Sequence, residues 1–232
     1  MTGRTRLLTT SVGAKVAMAI TGLCLVVFLL FHVAGNLLVF GGRNAFNGYA
    51  ETLQGLGPLL WIGRAGLLVL FVAHVAVGIR LVRKNRAARP QPYAHEATVA
   101  ASHASRTMIQ TGLIVLVFVI VHLLHFTVGA IRPADFALTE DVVRNGVTVP
   151  RHDAFGMVLG GFHDDRIVAL YVIGLWLIGL HLSHGVSSLF QSLGLRRTST
   201  ARWIERGGRT LAWALAAAFI AIVLGVRVGV AG

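Results

Sequence analysis

The chain has 232 residues, of which 55% are hydrophobic and 13% are charged, and its mean hydropathy is +0.73. A soluble domain of this size needs a charged surface, so the composition excludes an ordinary soluble protein and predicts a multi-pass membrane protein. The net charge of +12 comes from residues between the apolar segments. It therefore indicates membrane topology and an anionic partner surface, and argues against nucleic acid as a partner. The single cysteine, Cys24, excludes an internal disulfide and an all-cysteine zinc site.

Five apolar segments are long enough to cross a bilayer, since a helix needs about 20 residues to do so. In chain order they cover residues 16–40, 59–82, 107–131, 167–193 and 210–230. The sequence therefore predicts an all-α integral membrane fold, with five transmembrane helices in one membrane domain covering 1–232. No internal repeat is evident, and the first segment is interpreted as a retained span because no small-residue cleavage site follows a short apolar core.

Basic residues separate the spans unevenly. They are concentrated at the N-terminus and in the second and fourth connections, whereas the first connection holds only Arg43 and the third mixes both signs of charge. The positive-inside rule places basic connections in the cytoplasm. The N-terminus and the second and fourth connections are therefore predicted to be cytoplasmic, and the C-terminus external.

Histidines occur inside the first four apolar runs and are missing from the fifth. An ionisable side chain in hydrocarbon needs a partner and indicates a functional site by default. These intramembrane histidines are His32, His74, the pair His122 and His125, and the pair His181 and His184.

Two of these histidines are predicted to lie at a similar depth. At a helical rise of about 1.5 Å per residue, His32 lies roughly 25 Å beyond Lys15, and His122 lies roughly 24 Å beyond Arg106. Both spans enter from the cytoplasm. His32 and His122 are therefore expected to pair towards the outer leaflet.

A second pair is predicted on the spans that run in the opposite direction. His74 lies roughly 9 Å before the basic end of its span at Arg80, in the inner half of the membrane. His181 lies roughly 22 Å from Arg166 and falls between mid-membrane and the inner half. His74 and His181 therefore form the second predicted pair.

Two imidazoles on facing helices can bind one iron from both sides, as in a b-type haem. The first four helices are therefore predicted to form a haem-binding bundle. Either His122 or His125 could be the ligand on the third span, because residues three apart face nearly the same side of a helix. The predicted iron ligands are His32, His74, His122 and His181. Arg64, Arg106 and Arg132 are candidate partners of haem propionates, and His125 and His184 are candidate hydrogen-bonding partners of a propionate or a quinone.

Simpler interpretations of the buried histidines stay open. A single intramembrane histidine is often only a hydrogen-bonding partner of a neighbouring helix. A zinc or copper transporter would also use buried histidines, but it would usually add Asp, Glu or Cys near the midplane, and these spans contain almost no acidic residues.

Two groups of polar residues are candidates for binding a quinone. Each residue could equally serve as an ordinary loop or helix-cap residue. The first group, near the predicted inner pair, is Ser11, Lys15 and Arg106, and the second, in the first external connection, is Asn47, Tyr49 and Glu51.

Seven short motifs distributed over nearly the whole chain form a recognisable set. They include FHVAGNL at 31–37, HLLHF at 122–126 and HLSHG at 181–185, and the others lie at 15–22, 46–50, 83–90 and 105–108. With these motifs the chain resembles the single-chain, five-helix cytochrome b membrane anchor of succinate dehydrogenase and fumarate reductase (respiratory complex II), in its actinobacterial form.

The resemblance implies a function and a set of partners. It implies two b-type haems held by the four histidines named above, in the plasma membrane of a bacterium. Partner subunits would carry FAD and iron–sulfur clusters and would perform the succinate and fumarate chemistry, so the chain is not catalytic for succinate by itself. The anchor would exchange electrons with a quinone, and menaquinone is the expected one. The resemblance is also compatible with a higher oligomer of the complex.

Other functions remain as alternatives at this point. Some anchors in the wider superfamily hold one haem or none, so the number of haems is open. The chain could also be the di-haem cytochrome b of another transmembrane reductase or dehydrogenase. From a different class, it could be a haem-free membrane scaffold or a metal transporter.

Overall fold

The computed structural model describes residues 10–88 and 107–230. Most of these residues are helical, and five helices are long and apolar enough to cross a membrane. The elements are α1 (Ser11–Leu37), a short 3-10 helix (Leu38–Gly41), α2 (Arg43–Gln54), α3 (Pro58–Ala87), α4 (Met108–Phe126), α5 (Pro133–Phe136), β1 (Thr139–Arg144), β2 (Val147–His152), α6 (Ala154–Gly161), α7 (Asp165–Ser192) and α8 (Ala201–Arg227). The five long apolar helices confirm the predicted multi-pass helical membrane fold.

Several helix ends differ from the predicted spans: α1 begins at Ser11 instead of residue 16, and α3 ends at Ala87 instead of residue 82. Helix α4 ends at Phe126 although the apolar run continues to residue 131, because Gly129 adopts a left-handed backbone with φ of 74° and Pro133 follows. Helix α8 begins at Ala201, nine residues before the predicted span. Its first turns hold arginines, which lower hydropathy but favour helix.

The chain divides into two compact units. The first is drawn from residues 1–29, 64–113 and 178–214, and the second from 30–63, 114–177 and 215–232. Small residues allow close helix packing in the first unit. The Met18 methyl group lies over Gly78, and the Val186 side chain lies over Gly208.

The second unit contains an antiparallel hairpin, which the sequence analysis did not anticipate. Strands β1 and β2 pair from Thr139 opposite His152 to Arg144 opposite Val147. The turn is formed by Asn145 and Gly146, with positive φ values of 51° and 78°. Asn-Gly is the preferred sequence for a two-residue hairpin turn that needs positive φ at both positions.

A network of charged and amide side chains connects this hairpin to helices α2 and α6. We call it the polar cluster, and it consists of Arg43, Asn47, Glu51, Glu140, Arg144, Arg151 and Asp153. Asn47 lies at its centre and has no exposed surface. Its amide donates to Glu140 and, at 2.9 Å, to Asp153, and its carbonyl oxygen accepts from the Phe155 backbone N–H at 2.7 Å.

Asp153 is a charged group inside the polar cluster, and its side chain also caps the start of α6. Burial by itself would raise the pKa of the Asp153 carboxyl group. Hydrogen bonds from Asn47, from the Gly156 backbone N–H and from Arg43 outweigh burial, so this pKa lies below its ordinary value.

Acid should weaken the polar cluster through Asp153. A lowered folded-state pKa contributes stability above the unfolded-state pKa, and this contribution disappears as the pH falls through the folded-state pKa. We therefore expect the midpoint temperature of unfolding to fall less steeply on acidification in Asp153→Asn than in the original chain. Thermal unfolding measured across a pH series provides the test, and identical slopes for the two proteins would contradict it.

Candidate metal-binding histidine pairs

In the first unit, His74 on α3 lies against α1. Its Nδ1 atom is 3.0 Å from the Thr21 hydroxyl oxygen. Its ring also lies over Gly22, where an added Cβ would come within 3.3 Å of the His74 Cε1 atom. A hydroxyl group and a bare glycine backbone therefore contact this imidazole side by side.

His181 on α7 makes the same kinds of contact with α4. Its Nδ1 atom is 3.3 Å from the Thr111 hydroxyl oxygen, and an added Cβ at Gly112 would come within 3.1 Å of its Cε1 atom. His74 and His181 both belong to the first unit and are close enough to interact electrostatically.

These matching contacts come from an internal repeat. Residues 18–32 (MAITGLCLVVFLLFH) and 108–122 (MIQTGLIVLVFVIVH) are identical at seven of fifteen positions, which hold Met, Thr, Gly, Leu, Val, Phe and His. Residues 70–78 (LFVAHVAVG) and 177–185 (LIGLHLSHG) share Leu, His and Gly at the same spacing. The sequence interpretation that found no repeat was therefore wrong.

The repeat is structural as well as sequential. An added Cβ would lie 3.4 Å from the Met18 methyl carbon at Gly78, and 3.6 Å from the Met108 methyl carbon at Gly185. Two helix pairs, α1 with α3 and α4 with α7, therefore use the same methionine, threonine, glycine and histidine contacts. Under this equivalence His74 corresponds to His181, and His32 corresponds to His122.

In the second unit, His32 on α1 and His122 on α4 face each other. Their ring centroids are 5.9 Å apart and their planes are nearly perpendicular, at 82°. Two imidazoles that bind one metal ion from opposite sides, each through a bond of about 2 Å, have centroids roughly 6 Å apart. The separation of 5.9 Å matches this value, and it is also that of an edge-to-face contact between two rings.

Polar and aromatic groups surround this second pair. The His122 Nδ1 atom is 3.4 Å from the Tyr171 hydroxyl, and the Asn36 amide is 3.5 Å from the His32 Nδ1 atom. The Phe219 ring packs on His32 with a centroid distance of 5.6 Å. These contacts differ from the threonine contacts in the first unit, so the two pairs are supported differently.

His125 occupies a different position from His122. It is only 2% exposed, its Nδ1 atom is 3.0 Å from the Tyr171 hydroxyl, and its ring stacks on Phe126. In the repeat its counterpart is Gly35, whereas the counterpart of His122 is His32. Both observations favour His122 as the metal ligand. Among the described residues no partner bonds the buried His125 Nε2 atom.

The remaining candidates for propionate binding lie in varied settings. Arg132 forms an ion pair with Asp135, and the His184 Nε2 atom is 2.8 Å from the Ser188 hydroxyl oxygen. Arg64 is exposed near the start of α3, and Arg106 lies outside the described residues. The structure therefore does not gather these residues around one point.

The candidate quinone residues are also divided. Ser11 and Lys15 are exposed in the first turns of α1. Asn47 and Glu51 are engaged in the polar cluster, and Tyr49 packs against Gly35 so closely that no side chain could be added there. Among the described members of the two groups, Asn47 is the least suited to a ligand, because its amide donates two hydrogen bonds and its oxygen accepts a third.

Thr21, Thr111 and Tyr171 contact the candidate ligands, and the sequence analysis missed all three. Comparison of the first and third spans with each other would have found the two threonines, because they begin a shared Thr-Gly pair. Tyr171 has no such signal, since its contact depends on the packing of α7 against α4.

Comparison of the chain with models of known protein families, with curated proteins and with solved structures gave no match. The function must therefore be argued from the residues of this chain. Within 10–88 and 107–230, no group of three or more His, Cys, Asp or Glu side chains is placed to hold a metal ion, whereas His32 and His122 are in ring contact and His74 and His181 lie in the same unit.

Proposed function

We propose that the chain is a membrane-spanning di-haem cytochrome b and serves as the electron-transferring anchor of a succinate dehydrogenase or fumarate reductase complex. The observation that carries the proposal is the repeat-related arrangement of four intramembrane histidines in two pairs. One of these pairs, His32 and His122, has the spacing of ligands on opposite sides of one metal ion.

The residues of the chain suit a haem better than an isolated metal ion. A structural zinc site normally has four protein ligands, whereas a haem iron receives four nitrogens from its porphyrin and needs only two axial ligands. Paired imidazoles with apolar and aromatic neighbours, such as Phe219 on His32, meet that need. When bound, each haem would supply one-electron redox chemistry.

The chain's own residues would bind, orient and insulate the two haems. His32 with His122 would hold one haem, and His74 with His181 the other. Hydroxyl groups of Thr21, Thr111 and Tyr171 contact Nδ1 atoms of three of these four rings. Such contacts fix ring orientation, and the apolar helices exclude water, which in turn tunes the redox potential.

The charges of the described residues support the proposed topology and partners. In the first unit they comprise eleven Lys or Arg and only one acidic residue, Glu205, whereas in the second unit six basic residues accompany seven acidic ones. Excess basic charge is typical of the cytoplasmic side. A flavoprotein carrying FAD and a partner carrying iron–sulfur clusters would dock on that side, and a quinone, expected to be menaquinone, would exchange electrons with the anchor within the lipid bilayer of a bacterial plasma membrane.

A difference spectrum tests the cytochrome directly. We expect the protein purified from native membranes to show a b-type α-band in its dithionite-reduced minus oxidised spectrum, and extraction to yield haem b. A protein that shows no such band and yields no haem would contradict the proposal and leave a haem-free scaffold or a metal transporter.

Copurification separates the complex II anchor from another di-haem cytochrome b. We expect a flavoprotein and an iron–sulfur protein to accompany the chain through two purification steps in mild detergent, together with succinate-dependent reduction of the haem. Haem without these partners would instead support a different transmembrane reductase.

A further inference from the structure

We propose that Thr21 and Thr111 are positioning residues that select the nitrogen with which His74 and His181 bind iron. The inference rests on the proposed haem function and extends it to two residues that do not touch the metal. Their contacts with the two imidazoles are equivalent, at 3.0 Å and 3.3 Å.

The direction of each hydrogen bond follows from the single hydroxyl hydrogen of threonine. The Thr21 hydroxyl donates to the backbone oxygens of Ala17, at 2.8 Å, and Met18, at 3.2 Å. Its oxygen is therefore left to accept a hydrogen bond from the Nδ1–H group of His74. The imidazole is then protonated on Nδ1, and its Nε2 atom carries the free lone pair.

Thr111 repeats this arrangement one helix pair later. Its hydroxyl donates to the backbone oxygens of Thr107, at 3.0 Å, and Met108, at 3.1 Å, so its oxygen accepts from the Nδ1–H group of His181. Both imidazoles consequently offer Nε2 as the metal-binding atom. In metalloproteins the partner of one ring nitrogen determines which nitrogen binds the metal.

The glycine next to each threonine holds the ring in place from the backbone. A side chain at Gly22 or Gly112 would press on the Cε1 atom of the histidine, at 3.3 Å or 3.1 Å from its Cβ. The Thr-Gly pair therefore combines a hydrogen-bond acceptor with space for the ring. Thr21 and Thr111 contact His74 and His181, whereas His122 contacts the Tyr171 hydroxyl and His32 the Asn36 amide. A change at Thr21 or Thr111 should therefore act on one haem only.

The test uses the full chain in its native complex and replaces the hydroxyl group with a methyl group of similar size. The variants are Thr21→Val, Thr111→Val and the double variant, with Thr21→Ser and Thr111→Ser retaining the hydroxyl. Thr52→Val is the matched control, because the Thr52 hydroxyl bonds only the Gly48 carbonyl oxygen one turn earlier, on an exposed face. Electron paramagnetic resonance, potentiometric titration and haem content are measured for each variant.

We expect the valine variants to shift the resonance signature and raise the midpoint potential of the haem held by His74 and His181. Loss of the hydrogen bond makes the imidazole a weaker base, and a weaker base stabilises ferric iron less. Changes of this kind typically lower metal affinity by about 10–100-fold. The second haem keeps its signature and serves as the internal measure of folding. The serine variants and Thr52→Val should match the original protein.

The outcomes separate this inference from the proposed function. Haem that is present and unchanged in both valine variants overturns the positioning role and leaves the cytochrome intact. A change of equal size in both haems, or one that serine fails to restore, shows a packing role and also overturns it. An original protein without haem overturns the proposed function, and the inference falls with it.

Discussion

Replacement of His122 by alanine should halve the haem content and leave the second haem spectroscopically intact. His122 faces His32 at a centroid distance of 5.9 Å, so its loss would remove one of the two side chains proposed to hold this haem. A b-type haem has no covalent attachment to the protein, and its retention depends on these ligands. His32→Ala should have the same effect, and both are measured by haem extraction and by the reduced α-band.

His125→Ala is the matched control for this prediction. His125 lies three residues further along α4, is more deeply buried, and contacts the same Tyr171 hydroxyl. We expect this variant to keep both haems, because its ring lies against Phe126. Loss of a haem from His125→Ala together with its retention in His122→Ala would make His125 the ligand and would contradict the equivalence drawn from the repeat.

The same logic extends to the pair in the first unit. His74→Ala and His181→Ala should each remove the haem that the His122 variant retains. The doubly substituted protein His122→Ala with His181→Ala should then contain none. If instead a single substitution removed both haems, the assignment of His32 with His122 to one haem and of His74 with His181 to the other would be wrong.

The sequence analysis predicted the spans better than it predicted the connections. Hydropathy depends on local composition, and all five spans are present, with shifted ends where Gly129 or the arginines at the start of α8 intervene. The hairpin was missed although Asn145 and Gly146 are a strong local turn signal. Its strands contain the charged residues Glu140 and Arg144, whose partners on α2, Asn47 and Glu51, each lie 93 positions away in the chain.

Within the candidate site, the sequence predicted that His32 pairs with a histidine of the third span but could not choose between His122 and His125. Counting residues along a helix gives depth but leaves side chains three apart on nearly the same face. The ring contact between His32 and His122 depends on how α1 packs against α4, and only the structure contains that information. The sequence analysis missed Thr21 and Thr111 for a different reason. Neither threonine is conspicuous within its own span, and their equivalence appears only when the first and third spans are compared with each other.

Replacement of Asn47 by alanine should strongly destabilise the second unit. Asn47 is completely buried and joins three elements, because it bonds Glu140 in the hairpin, Asp153 at the start of α6 and the Phe155 backbone N–H. Removal leaves the Phe155 backbone N–H without its acceptor. It also takes one hydrogen bond from each of two carboxylate oxygens, which keep their bonds from Arg151 and from the Gly156 N–H. A buried unsatisfied group costs about 1–3 kcal/mol.

A loss of roughly 3 kcal/mol corresponds to a fall of about 6–12 °C in the midpoint temperature for a chain of this size. Asn44→Ala is the matched control, since Asn44 lies one turn earlier on α2, is exposed, and bonds only Arg151 at 3.2 Å. It should change the midpoint by less than about 2 °C, because exposed substitutions usually cost under 0.5 kcal/mol. Tryptophan fluorescence during heating in detergent measures both.

The elements joined by Asn47 also contact the neighbourhood of the second histidine pair. Tyr49 on α2 packs against Gly35, one turn beyond His32, and Gly161 on α6 packs against Phe126, one turn beyond His122. Loosening the polar cluster should therefore release the haem of His32 and His122 at a lower temperature than the haem of His74 and His181. Equal release temperatures for the two haems in Asn47→Ala would show that the polar cluster does not support this site.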